Sequence, residues 1–242
     1  MFGLNLGATS SSASAAAAHA FNNALEFDGT NDYANFSAQT EVVKSSEQFV
    51  ISFWFKSKAS STNPSTDFVA TSSNEGDYII MGNASSGNNG RPRLKINGSS
   101  YQCNFAWSDQ AWHHYYFYRD GSNDIYIVVD GVNQGNVGTN SANIEFNNFG
   151  KRNNNTLYLR GFLDDFFVAG NSDVSSSVTP SLAKAQAIYN SGNGANPQTI
   201  EGDNGVVYFK FDESSGSTAS DSSGNSNDLT LNNFTGTYFD SH

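Results

Sequence analysis

AWHHYYFYRDGSNDIYIVVDG, residues 111–131, decides the fold class. Two runs rich in aromatic and β-branched side chains, Trp112 to Tyr118 and Ile125 to Val129, flank the loop Arg119-Asp120-Gly121-Ser122-Asn123. Asp130-Gly131 then closes the second run. Such side chains suit the pleated, half-buried surface of a strand, and Gly, Asn and Asp supply the positive φ of a tight reversal. The stretch predicts an antiparallel hairpin with Ile127 and Val129 on its buried face.

The same pattern extends in both directions. Phe49-Val50-Ile51-Ser52-Phe53-Trp54-Phe55 is nearly continuous apolar sequence, the mark of a central strand with Phe53 and Phe55 pointing inward. Leu25 and Phe27 alternate with Glu26 and Asp28 before a turn at residues 29–32. Hairpins are expected at 66–72 with 77–82, through Asn74-Glu75-Gly76, and at 91–97 with 100–106, through Asn97-Gly98-Ser99. Leu157 to Val168 predicts one or two further strands. One helix is expected at 181–190, where Pro180 precedes an alanine-rich run and Gly192 comes after it. A Gly/Asn/Pro linker at 191–204 leads to strands at Val206 to Phe211 and Asp228 to Leu231. The segment after the linker is too short to bury a core alone, so it should return to the same body. The expected architecture is all-β: an antiparallel two-sheet sandwich with one short helix in the C-terminal half. It spans residues 21–242 and is closed by the strands of 205–242.

Composition narrows the partners. Aromatic and charged residues each make up 14% of the 242 residues, which excludes a disordered chain. The net charge of −11 argues against nucleic acid and anionic membrane as partners. No apolar run approaches a membrane span. A single cysteine, Cys103, forbids an intrachain disulfide and reads as a small buried hydrophobe. Residues 1–20, rich in Ala and Ser, lack the charged n-region and apolar core of a signal peptide. They read instead as a docking arm, in which Phe2, Leu4 and Leu6 alternate with small or polar residues and would add to a partner's edge or groove.

Five segments in order resemble the laminin-G-like branch of the concanavalin A-like lectin/glucanase superfamily. They are ALEFDGTNDYANF (24–36), EQFVISFWFK (47–56), the hairpin at 111–131, GFLDDFFV (161–168) and the helix ending at Tyr189-Asn190. The resemblance implies a concanavalin-like jelly roll. GVVYFKFDESSGSTASDSSGNSNDLTL (205–231) resembles a segment that often opens such domains but here lies near the C-terminal end. That order, with the small-residue arm, resembles domains of bacteriophage virion proteins.

Candidate chemistry is sparse. Glu26-Phe27-Asp28-Gly29-Thr30-Asn31 begins like the Glu-x-Asp-x-x-Glu strand of β-glucanases, but Asn31 stands where the acid/base should be. Retaining hydrolysis needs two carboxylates, so no enzyme is expected. Oxygen-rich loops leave room for one structural calcium, with Asp28, Asp32 and Asp164 as one ligand cluster and Asp221 with Asn225 as another. The plainer reading of these residues is turn chemistry. His113 and His114 point to opposite strand faces and cannot share one zinc ion. For a sugar, Trp107, leading into the loop residues Ser108-Asp109-Gln110, is the best aromatic platform, with Tyr116 and Asn153 as further contacts.

The expected function is that of a non-catalytic virion protein, a capsid decoration or a tail or fibre component. It would be assembled in the host cytoplasm with other virion proteins or copies of itself, and a host-surface glycan is a further partner. The alternative is a secreted or cell-surface lectin-like module, and a glycoside hydrolase ranks third.

Overall fold

The computed structural model describes residues 21–58, 67–82, 91–105, 109–170, 178–202 and 205–240. The predicted arm, with Phe2, Leu4 and Leu6, lies outside them. In chain order the strands are β1 (Ala24–Asp28), β2 (Tyr33–Val43), β3 (Phe49–Ser57), β4 (Asp67–Thr71), β5 (Tyr78–Met81), β6 (Pro92–Ile96), β7 (Ser99–Gln102) and β8 (Trp112–Arg119). They continue as β9 (Asp124–Val129), β10 (Val132–Thr139), β11 (Ile144–Phe149) and β12 (Arg160–Ala169). Helices α1 (Leu182–Tyr189) and α2 (Pro197–Glu201) come next, then β13 (Gly205–Phe209), β14 (Thr218–Ala219), β15 (Leu229–Asn232) and β16 (Phe239–Asp240).

These strands form two antiparallel sheets. The first runs β10-β9-β8-β3-β12-β1-β16, with β13 also on β12, and the second runs β14-β15-β2-β11-β4-β5-β6-β7. Phe27, Phe53, Phe55, Ile127 and Val129 are all buried in the core between them, as alternation requires. Phe53 stacks with Tyr115, Phe117 and Phe166 at centroid separations of 5.4–5.9 Å. Gly161 lets β12 lie against β3, since a Cβ there would come within 2.4 Å of the Lys56 carbonyl oxygen. Cys103 is free and buried.

One edge of β12 is shared. Its first half, Arg160 to Leu163, pairs with β1, and its second half, Phe166 to Ala169, pairs with β13. A register slip between Asp164 and Phe167 marks the changeover, and Asp165 takes the left-handed conformation there (φ 48°). Further C-terminal pairings join β15 to β2 and β16 to β1.

The helical region is larger than the sequence pattern predicts. Ser181 caps α1, its side chain accepting from the Lys184 amide, and the helix ends at Asn190 in the left-handed region, two residues before Gly192. The linker then forms α2, with Asn196 as N-cap and Pro197 in its first turn. Both helices lie on the outer face of the first sheet. Ala185 and Ile188 pack there on Tyr116, Tyr118, Phe167 and Tyr208. α2 is anchored through Glu201, which accepts from the Tyr116 hydroxyl at 2.8 Å and from Lys184 Nζ at 2.9 Å.

At the far end of β8, Arg119 is fully buried. Its guanidinium donates to the carbonyls of Glu47 (2.6 Å), Lys44 (2.8 Å), Ala142 (2.6 Å) and Asn140 (3.1 Å) and lies over the Phe49 ring. It ties the β2–β3 and β10–β11 connections together. Burial pulls its pKa down to about 10, which still leaves it charged at neutral pH.

Candidate functional site

The described residues cover the outer face of the first sheet only in part. Trp54 and His114, opposite each other on β3 and β8, are closed over by Phe21 and by Tyr189 of α1. His114 is fully buried and bonds the Ser52 hydroxyl at 2.9 Å, and burial drives its pKa down to about 3. The neutral imidazole is therefore part of the packing under α1.

Two residues further along each strand this cover ends. Glu26 on β1 opposes Phe162 on β12, Phe162 opposes Lys56 on β3, and Lys56 opposes Trp112 on β8. Directly opposed residues in antiparallel strands share a face, so the four side chains form one row across four adjacent strands. All four are half-buried. With strands about 4.8 Å apart, the row is ~14 Å long, about the span of a trisaccharide. The Phe162 and Trp112 rings lie 6.1 Å apart and tilted by 54°. Lys56 Nζ stands 5.4 Å from the Phe162 centroid and 6.0 Å from that of Trp112. Lys58 Nζ stands 5.3 Å from the same Phe162 centroid, and Lys58 pairs with Glu26. Aromatic faces interleaved with a cation and a carboxylate can stack on a sugar ring while hydrogen-bonding its hydroxyls.

Of the sequence-predicted site residues, Tyr116 and Asn153 fall elsewhere. Trp107 lies outside the described residues. Tyr116 is fully buried beneath the helices with its hydroxyl on Glu201, so it presents no surface to a ligand; strand alternation placed it on the outer face, but the helix packing closes that face. The Asn153 side-chain amide donates to the Ser73 carbonyl and holds the 152–156 turn against the β4–β5 connection.

The proposed acidic cluster is divided. Asp28 and Asp32 meet in the β1–β2 turn. There Asp32 Oδ2 accepts the Asp28 amide (3.0 Å) and Asp28 Oδ1 accepts the amide of Thr30 (2.7 Å). Desolvation, then the Asp28 charge against a partly offsetting backbone bond, raises the Asp32 pKa to about 6. Asp164 sits apart from them, opposite Trp54 at the slip in β12, where burial and the adjoining Asp165 push its pKa well up. Asp221 is occupied by backbone: Oδ1 accepts the amides of Tyr208 and Ser223, and Oδ2 that of Asn227. The Asn225 amide nitrogen donates to the carbonyls of Gly205 and Val206. Among the described residues no group of three or more His, Cys, Asp or Glu converges as a metal site.

The two histidines do face opposite ways, but His113 has acidic neighbours that the sequence pattern did not show. Its Nδ1 bonds Asp130 (2.7 Å) and its Nε2 bonds Asp109 (2.9 Å). Burial opposes its charge, yet the two carboxylates prevail and raise its pKa. This bracket fixes the start of β8 immediately beside Trp112.

Residues 28–172, more than half of the chain, match one family, described as the concanavalin A-like lectin/glucanases superfamily. The chain belongs to that superfamily. Among solved structures, it is similar to a candidate carbohydrate-binding protein from Bacteroides ovatus, with a TM-score of 0.65 and 15% identity over 91% of this chain. The chain spans 60% of that protein's length. It is also similar to the heptameric SAP-like pentraxin of Limulus polyphemus, with a TM-score of 0.51 and 18% identity, covering 73% of this chain and 85% of the pentraxin. At these identities the likeness establishes the superfamily's sandwich. No curated protein sequence matches the chain.

Proposed function

We propose that this chain is a non-catalytic glycan-binding sandwich that holds its ligand across the row Glu26, Phe162, Lys56 and Trp112. The observation that carries this reading is the row itself: two aromatic rings and two opposite charges, in register on four strands, beginning where the helical cover stops. The superfamily's lectin members, and the fold shared with a candidate carbohydrate-binding protein, agree with it. The non-catalytic part rests on chemistry. Asn31 cannot donate a catalytic proton, Glu26 is paired with Lys58, and Asp28 is engaged by turn amides.

The setting we propose is display on a larger body, a virion or a cell surface, through residues 1–20. Weak single sites become effective when many copies are presented together. The binding reading is tested by a glycan array and then calorimetry on the best ligand. Trp112→Ala and Phe162→Ala should each weaken binding about tenfold, ~1.4 kcal/mol, while lowering stability by about 1–3 kcal/mol and leaving the protein folded at the assay temperature. Full affinity in both variants would refute the row as the site. The display reading is tested by removing residues 2–20 and measuring incorporation into particles; wild-type occupancy would refute the arm as anchor.

A further inference from the structure

We infer that the ligand of this row is an anionic glycan, its carboxylate or sulfate received by Lys56 while its ring stacks on Trp112 or Phe162. The inference rests on the glycan-binding reading and adds a charge to the ligand. Two of the chain's other cations are already engaged. Lys58 is paired with Glu26, and Arg152, at the other sheet, is paired with Glu75. Lys56 differs: it is half-buried, its Nζ lies near both the Phe162 and the Trp112 ring, and among the described residues no carboxylate reaches its Nζ. A lysine held against apolar rings loses part of its hydration, and an incoming anion restores the lost stabilisation. At 5.4 and 6.0 Å from the two ring centroids, Nζ is within reach of an acidic substituent on a pyranose stacked against one of those rings.

The chain's net charge of −11 does not forbid this. At physiological salt the Debye length is about 8 Å, so charges elsewhere on the surface are screened and those within the row decide. Beside that row Lys58 pairs with Glu26, which leaves Lys56 as the positive charge that faces the two rings.

The test uses the full chain and matched oligosaccharide trimers: galacturonate against galactose, mannuronate against mannose and glucuronate against glucose, with a sulfated galactan added. Affinities are read by calorimetry at 50 mM and 500 mM NaCl. At least one acidic trimer is expected to bind tenfold or more tighter than its neutral partner at low salt, with the advantage narrowing at high salt. Lys56→Gln should abolish that advantage, lowering acidic affinity at least tenfold more than neutral affinity, and leave the melting temperature in place. Carboxylated and sulfated arms then distinguish which anion is preferred. Equal affinity for neutral and acidic trimers, or an acidic advantage that survives Lys56→Gln, overturns the anion subsite and leaves glycan binding standing. Failure of every trimer, acidic and neutral, overturns both.

Discussion

Replacing Arg119 by Met tests how the two sheets are tied together at their far end. The methionine keeps most of the apolar stem over Phe49 but removes all four hydrogen bonds to the carbonyls of Lys44, Glu47, Asn140 and Ala142. A buried acceptor left without a donor costs about 1–3 kcal/mol, so four would cost ~4–12 kcal/mol if none recovered. Two effects reduce this. The connections lie near the surface, so water can reach some of the carbonyls, and the variant no longer buries a charge that lacks a carboxylate partner at bonding distance. We expect a net loss of ~4 kcal/mol. Arg119→Lys should lose about half as much, since an ammonium has three donors and no planar fork. Urea unfolding monitored by tryptophan fluorescence would measure it. At a slope of about 2 kcal/mol per molar, the midpoint of the Met variant falls by ~2 M. A loss below ~1 kcal/mol would show that the carbonyls find other partners and that Arg119 is not the tie.

The geometry sets three further outcomes. Tyr116→Phe removes a donor from buried Glu201 and should cost about 1–2 kcal/mol in thermal unfolding without altering glycan affinity; a binding defect would return Tyr116 to the ligand site. Gly161→Ala forces a Cβ toward the Lys56 carbonyl and should cost ~2 kcal/mol and weaken binding, because β12 and β3 can no longer hold Phe162 opposite Lys56. Asp32→Asn should be about 1 kcal/mol more stable than wild type at pH 7, allowing for solvent screening at the turn, with the gain fading as pH falls from 6 to 4. The sign comes from a folded-state pKa raised to about 6: ionisation opposes folding, so wild-type stability from this group declines as pH rises through that window. His114, held near 3, acts in the opposite direction below about pH 6.5, so the difference between variant and wild type is the quantity to plot.

Strands with a strong apolar face were legible, and strands without one were not. The 111–131 hairpin, the central run at 49–55 and the inward Phe27, Phe53 and Phe55 sit where alternation places them. The strands β10 and β11 left little trace. VNQGNVGT is a polar, glycine-broken edge strand whose pairing with β9 slips twice, and IEFNNF is a short strand with asparagines in its second half, against which β2 bulges twice. Helix α2 was hidden for a different reason. Asn196-Pro197 is an N-cap with proline next to it in the first turn, but in a stretch rich in Gly and Asn the same letters read as a linker.

The candidate site depends on register between strands that are distant in sequence. Glu26, Lys56, Trp112 and Phe162 each look ordinary where they stand, and Trp112 reads as one more strand aromatic beside Trp54 and Tyr116. What distinguishes them is where the helices stop. Trp54 and Tyr116 share the outer face with Trp112, yet α1, α2 and Phe21 cover the first two and not the third. Strand alternation reports which face a side chain occupies. It carries no information on whether a segment seventy residues later will lie over that face. The acidic residues illustrate the same limit. Asp28, Asp32 and Asp164 look alike in the sequence, but Asp28 and Asp32 meet in the β1–β2 turn, Asp28 opposite Arg160, whereas Asp164 lies further along β12, opposite Trp54 and next to Asp165. In both cases composition named plausible ligands, and the order of strands in the first sheet decided which of them meet.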